Sequence, residues 1–208
     1  LAELGSKVLL VDLGPQRNTT ATLCPDEVRD ITVHLSSVIE DGAEIEPGVQ
    51  ATTIKRLELL PASVDMESLK TKISTLPGGV QRLRRAFRKV PDDRWDFVLF
   101  DCPPTIEHLT VSGIVASGEV LVVLEPGAYA IDGMEEIWAD VLELRELMEL
   151  EVDLLGVLFN KVDTRTRISR QVREWMNETF PSKAFATQIP DLVAIKEAPF
   201  RNTSVLNH

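Results

Sequence analysis

Aromatic side chains make up only 5% of this 208-residue chain, with a single tyrosine, and cysteine is scarcer still: Cys24 and Cys102 are the whole set. Two cysteines so far apart, without metal-ligand spacing, exclude a disulfide scaffold and a cysteine-rich zinc or iron–sulfur centre. They read as reduced thiols of a cytoplasmic protein. No apolar run approaches the ~20 residues that a membrane helix needs, and no charged-then-apolar leader opens the sequence. Positive charge is in deficit, 22 Lys and Arg against 33 Asp and Glu, for a net charge of -11. That balance repels nucleic acid on average, so any contact with DNA has to come from a local basic patch. The phosphate-binding pattern G-x-x-x-x-G-K-[ST] does not occur. The one glycine pair, Gly78-Gly79, lies in a polar turn with no Gly-Lys after it.

What remains is ordinary for a globular α/β chain: 44% hydrophobic and 26% charged residues. Short apolar runs predict strands over 8–13, 57–60, 97–101, 120–124, 154–160 and 184–189. Several are nearly continuous in Val, Leu, Ile and Phe, as in parallel strands covered on both faces. Between them, helical spacing predicts helices over 80–89, 134–148 and 169–180. Met134, Met148 and Met176 fall on the helical stripes and read as packing. The opening LAELGSK looks like a last helical turn capped by Gly5, and residues 41–53 read as a surface loop. Strand–helix alternation predicts a doubly wound, mostly parallel sheet with helices on both faces. No linker interrupts it, so residues 1–208 are expected to form one domain.

Ligands of such sheets bind beyond the carboxyl ends of the strands. There the chain places Asp12-Leu-Gly14-Pro15-Gln16-Arg17, Asp101-Cys102-Pro103-Pro104, Glu125-Pro126, Asn160-Lys161-Val-Asp163 and Pro190-Asp191. Asp101 is the sharpest of them. Four apolar residues deliver one carboxylate to a strand tip, where it can hold a Mg²⁺-bound water beside a nucleotide phosphate. A lone strand-end Asp is also a common loop brace; Asp12 at a second tip favours function. The cluster Arg82, Arg84, Arg85, Arg88 and Lys89 reads as a solvated helix face.

Four stretches, VLLVDLGPQRNTT, WDFVLFDCPPTIEHLTVSGIVASGEVLVVLEP, LGVLFNKVDTRTRISRQV and QIPDLVAIKEAPFRNTSVL, in this order, resemble the ParA-type partition ATPases of the ParA/MinD group of deviant-Walker P-loop proteins. The resemblance implies an ATP- and Mg²⁺-dependent dimerisation switch that positions plasmids, chromosomes or other cargo. ATP would be sandwiched in a homodimer, with non-specific DNA and a ParB-like stimulating partner, in the cytoplasm and on the nucleoid, and no membrane partner is evident. It makes Asp101 the Walker B aspartate supporting Mg²⁺ through water, with Pro103 beside the nucleotide. Asp12 becomes the first acid of the family's D-x-D-P-Q block. Asn160 and Pro190 fall in segments that wall the adenine pocket, and Arg167, Arg170 and Arg173 lie where relatives carry DNA-contacting basic residues, although by themselves the three read as a solvated helix face.

Three departures qualify it. The second aspartate of D-x-D-P-Q, tied to hydrolysis in the family, is Gly14. The family's K-G-G-x-G-K-T loop is absent, which suggests an internal fragment lacking the N-terminal strand and P-loop and a C-terminal helix. Asp191 stands where many relatives have arginine. Gly14 keeps an alternative open: a non-catalytic scaffold on the same fold that has lost hydrolysis. A reductase of the nitrogenase-iron-protein type would need cluster cysteines that Cys24 and Cys102 do not supply.

Overall fold

A computed structural model describes residues 1–24 and 33–198; the end of the fourth resemblance stretch, from residue 199, lies outside them. The chain divides into two compact units, Leu1–Ser117 and Gly118–His208.

In the first unit, strands β1 (Val8–Asp12), β3 (Leu57–Leu60) and β4 (Phe97–Asp101) run parallel in the order β3-β1-β4, and a two-residue β2 (Gln50–Ala51) adds antiparallel to β3. β1 is central and buried on both faces, which is why it reads as an unbroken apolar run. The helices are α1 (Asn18–Leu23), α2 (Leu35–Glu40), α3 (Met66–Ile73), α4 (Arg82–Phe87) and α5 (His108–Ala116). Leu9, Val11, Leu13 and Leu60 pack with Leu35, Ile39, Met66, Leu69 and Leu83 in one core. Burying each such side chain stabilises the fold by roughly 1.5–3 kcal/mol before entropy is charged against it. α5 approaches the sheet at Gly113, where a Cβ would stand 2.8 Å from Leu13 Cδ1 and 3.2 Å from Cys102 Sγ.

The helix expected over 80–89 forms as a 3-10 turn, Gly79–Gln81, followed by α4. Within it the solvated-face reading fails for Arg82. Its guanidinium donates to the carbonyls of Ile39 and Glu40 at 3.0 and 2.7 Å, satisfying orphan acceptors at the end of α2. The opening residues form a 3-10 turn, Ala2–Leu4, closed by Gly5 at φ 103°, a left-handed conformation that glycine adopts freely.

In the second unit, β5 (Glu119–Leu124), β6 (Asp153–Val162) and β7 (Ala184–Pro190) form a parallel three-stranded sheet in that order. Helices α6 (Ala130–Leu147), α7 (Arg167–Thr179) and the short α8 (Val193–Glu197) accompany it. Met134 and Met176 are fully buried with Val157, Phe159 and Val172, so these methionines are packing, as their spacing predicts. α7 starts where the Thr166 hydroxyl accepts the Ser169 amide. Some apolar side chains stay open on the end strands. Phe97 and Leu99 on β4 are 44% and 43% exposed, and Leu121 and Val123 on β5 are 42% and 56% exposed. Both strands are the last in their sheets. Among the described residues no helix is long and apolar enough to cross a membrane.

Candidate functional site

Parallel pairing of β1 with β4 puts Asp12 directly beside Asp101, so two carboxylates share one register position at the carboxyl end of the first sheet. Their surroundings differ sharply. Asp12 is 1% exposed. Its Oδ1 accepts the Gly14 amide at 2.9 Å, and its Oδ2 accepts the Thr20 amide at 2.8 Å and the Thr20 hydroxyl at 2.6 Å. That hydroxyl in turn accepts the Ala62 amide at 3.0 Å, just beyond β3. Asp12 therefore ties the ends of β1 and β3 and the first turn of α1 into one buried network, in which every named donor has its acceptor.

Asp101 is exposed. Its Oδ2 accepts the Thr19 hydroxyl at 2.5 Å, and among the described residues no protein donor occupies Oδ1. Its backbone carbonyl accepts the Leu13 amide, which locks the two strand ends together. An exposed carboxylate with a free oxygen at a strand tip suits a hard, hydrated cation. Next to it, burial and then the negative charge of Asp101 push the Cys102 thiol up to about 12, so Cys102 stays a protonated packing group rather than a nucleophile. Pro103 is half-buried behind it.

Sequence reasoning missed three residues. Thr19 and Thr20 face Asp101 and Asp12, and the available signal was a Thr pair in the first turn after a strand-end acid. The third, Ser63, follows β3 at the same end of the sheet. It is 3% exposed, and its hydroxyl is the one buried side-chain polar atom without a partner among the described residues.

Gly14 itself is not required by the backbone, because its φ is not in the positive range. A Cβ there would meet a single atom within 4 Å, Asp12 Oδ1 at 3.1 Å. Three residues on, Arg17 does adopt the left-handed conformation, at φ 55°, as the residue preceding α1.

In the second unit, Asn160 and Pro190 lie at the carboxyl ends of the adjacent strands β6 and β7, where Val162 pairs Pro190. The Asn160 side chain accepts the next amide, that of Lys161, at 3.0 Å. Lys161 pairs with Glu125 at 2.7 Å, which, with the Asp191 charge adding to it, raises the ammonium above its ordinary range. Asp163 takes a two-pronged contact from the Arg165 side chain and then the Arg165 amide, which hold its carboxyl down to about 2. On α7, Arg167 and Arg170 are exposed and Arg173 is half-buried. Among the described residues, no group of three His, Cys, Asp or Glu side chains could hold a metal ion unaided.

The AAA domain family model matches residues 1–154. The chromosome-partitioning ATPase Soj of Thermus thermophilus is 33% identical over 208 residues, 100% of this chain and 78% of the relative. The sporulation initiation inhibitor protein Soj of Bacillus subtilis is 29% identical over 206 residues, 99% of this chain and 81% of the relative. Among solved structures, cobyrinic acid a,c-diamide synthase from Mycobacterium smegmatis with bound ATP analog and magnesium superposes with a TM-score of 0.81 at 29% identity, covering 91% of this chain and 77% of that one. From the strand-tip carboxylates to the length-spanning identity with Soj, these findings agree: the chain belongs to the ParA-type family of partition ATPases.

Proposed function

We propose that this chain is the nucleotide-gated element of a partition or positioning system: a Mg²⁺–ATP-dependent dimerisation switch with ATP between two copies. The observation that carries the reading is the register pair Asp12 and Asp101, one buried and saturated, the other exposed with an oxygen free. Asp101, with the Thr19 hydroxyl, would hold the water shell of Mg²⁺, a cation that keeps most of its own waters. When bound, the metal would supply charge neutralisation to the nucleotide's phosphates. Asp12 acts through what it holds, fixing Gly14 and the Thr19–Thr20 turn. In the second unit, Arg167, Arg170 and Arg173 on α7 offer charge to DNA. A G-x-x-x-x-G-K-[ST] loop is not part of these 208 residues, and no step is assigned to one.

A relative of this chain solved with an ATP analog and magnesium supports the choice of ligand. The experiment is light scattering of the full-length protein with and without Mg²⁺–ATP: the mass doubles only with both. A mass independent of nucleotide would sink the switch.

Gly14 favours a second reading, a scaffold on the same fold that does not hydrolyse ATP. Glycine has no side chain to orient an attacking water, and single preorganised groups of that kind contribute about 10²–10³-fold to turnover. ATP turnover stimulated by DNA and a partner protein would exclude it.

A further inference from the structure

Asp12 and Asp101 stand at the carboxyl end of the first sheet; the amino end of the same sheet opens into a cleft of about 330 Å³. Lys7, Lys55, Arg56 and Arg94 line it, with Glu58 as its one acid, inside a chain whose net charge is -11. Lys7 and Arg56 directly precede β1 and β3. These strands begin side by side, with Val8 paired to Leu57, and the Val8 amide donates to the Arg56 carbonyl at 2.9 Å.

The four cations are not equally committed. Arg94 lies 4.4 Å over the Trp95 ring and grips the Glu58 carboxylate with two prongs, at 2.8 and 3.0 Å, so these two charges cancel in the cleft wall. Lys7, Lys55 and Arg56 have no carboxylate within ion-pair distance among the described residues. The Lys7 ammonium donates to the Asp93 carbonyl at 2.8 Å, and the Arg56 guanidinium to the Gly5 carbonyl at 2.6 Å. Each contact uses a single N–H, which leaves most donors of the three cations without a protein acceptor among the described residues.

The backbone beneath them is braced. The Leu57 amide closes a turn over 54–57 on the Ile54 carbonyl at 3.1 Å. The Thr52 hydroxyl ties that turn, accepting the Ile54 amide at 3.1 Å and donating to the Leu57 carbonyl at 2.8 Å. Its third residue, Arg56, sits at φ 66°, a conformation that turns ordinarily give to Gly or Asn. An arginine there costs backbone strain, and strain of this kind gathers at ligand sites.

We propose that this cleft binds a small phosphate monoester, at the opposite end of the sheet from the nucleotide. A phosphate monoester carries close to two negative charges and three acceptor oxygens, which suits three cations reaching one cleft from separate segments better than a planar carboxylate does. Ile54 and Leu57 in the lining offer apolar surface to an uncharged organic remainder. The volume lies at the small end of the roughly 300–1,000 Å³ usual for small-molecule sites. The cleft shares no residue with the switch proposed above and does not rest on it.

The test is nitrogen-15 NMR of the full-length protein, with no nucleotide added, titrated with phenyl phosphate and in parallel with NaCl of matched ionic strength. The amide signals of Lys7, Lys55, Arg56 and Leu57 move and saturate with phenyl phosphate and not with NaCl. Lys55→Gln, at an exposed side chain without a protein partner among the described residues, weakens that binding about tenfold, the effect of one charge-assisted hydrogen bond. Arg56→Gly, the residue that the turn itself favours, weakens it at least as much. Equal movement with NaCl, movement confined to Gly14, Thr19 and Asp101, or an affinity that neither variant changes overturns the proposal. So does duplex DNA that displaces phenyl phosphate from these four signals, because the phosphate would then belong to a nucleic acid.

Discussion

Replacing Asp12 by Asn separates a brace from a ligand, because it keeps the shape but puts an NH₂ donor where an acceptor oxygen stood. Asp12 accepts three hydrogen bonds, from the Gly14 amide, the Thr20 amide and the Thr20 hydroxyl. An asparagine offers one oxygen and turns an NH₂ towards the remaining donors. If the oxygen stays with Thr20, the amide opposes the Gly14 N–H; if it flips, two Thr20 donors face an amide. The Thr20 hydroxyl cannot simply rotate away, since it accepts the Ala62 amide. One or two donors are left unsatisfied, at about 1–3 kcal/mol each, so the expected loss is about 1–6 kcal/mol. Against a typical total of about 5–15 kcal/mol that is a large fraction. Urea unfolding of Asp12→Asn and wild type, followed by tryptophan fluorescence and circular dichroism at constant m-value, reads it directly. A variant within 0.5 kcal/mol of wild type, a margin usual for inconsequential surface changes, would falsify the brace.

Three further outcomes follow from the same end of the sheet. Gly14→Asp needs no positive φ, and its Cβ presses on Asp12 Oδ1 at 3.1 Å, so that carboxylate has to give slightly; the variant should raise steady-state ATP turnover of the full-length protein by about 10²-fold. No gain in a phosphate-release assay would place the deficiency elsewhere. Ser63→Ala removes a buried hydroxyl that has no partner, so thermal unfolding should show it neutral or up to about 1 kcal/mol more stable. A loss beyond 1 kcal/mol would reveal a partner that the structure does not show. Arg17→Gly relieves a left-handed residue at φ 55° and should gain about 1 kcal/mol in urea unfolding. A destabilised variant would mean that the Arg17 side chain contributes more than its backbone costs.

The strands were legible because they are apolar runs with clear ends; all six expected ones form, with boundaries moved by at most two residues. Short helices were not. α5, His108–Ala116, is apolar on nearly every side and so shows no stripe. α1 is Thr-rich, a poor helix former by itself, and owes its first turn to the Asp12 contact. The pairing of Asp12 with Asp101 could be anticipated from strand-end position alone, since both tips fall at the same edge of a parallel sheet. The role of Thr20 could not, because it depends on the chain after β3 returning to α1, which no local pattern encodes. Arg82 shows the converse: it looks like its neighbours in the basic run, and only the packing of α4 on α2 distinguishes it.

The central claim is that the exposed carboxylate at the end of β4 serves a magnesium-bound nucleotide. Isothermal titration of the full-length protein with ATP, with Mg²⁺ and with EDTA in its place, tests it most directly when paired with Asp101→Ala. Affinity should fall at least tenfold on removing the metal, and Asp101→Ala should abolish that metal dependence while leaving the fold intact. ATP affinity that depends on Mg²⁺ equally in wild type and Asp101→Ala would contradict it.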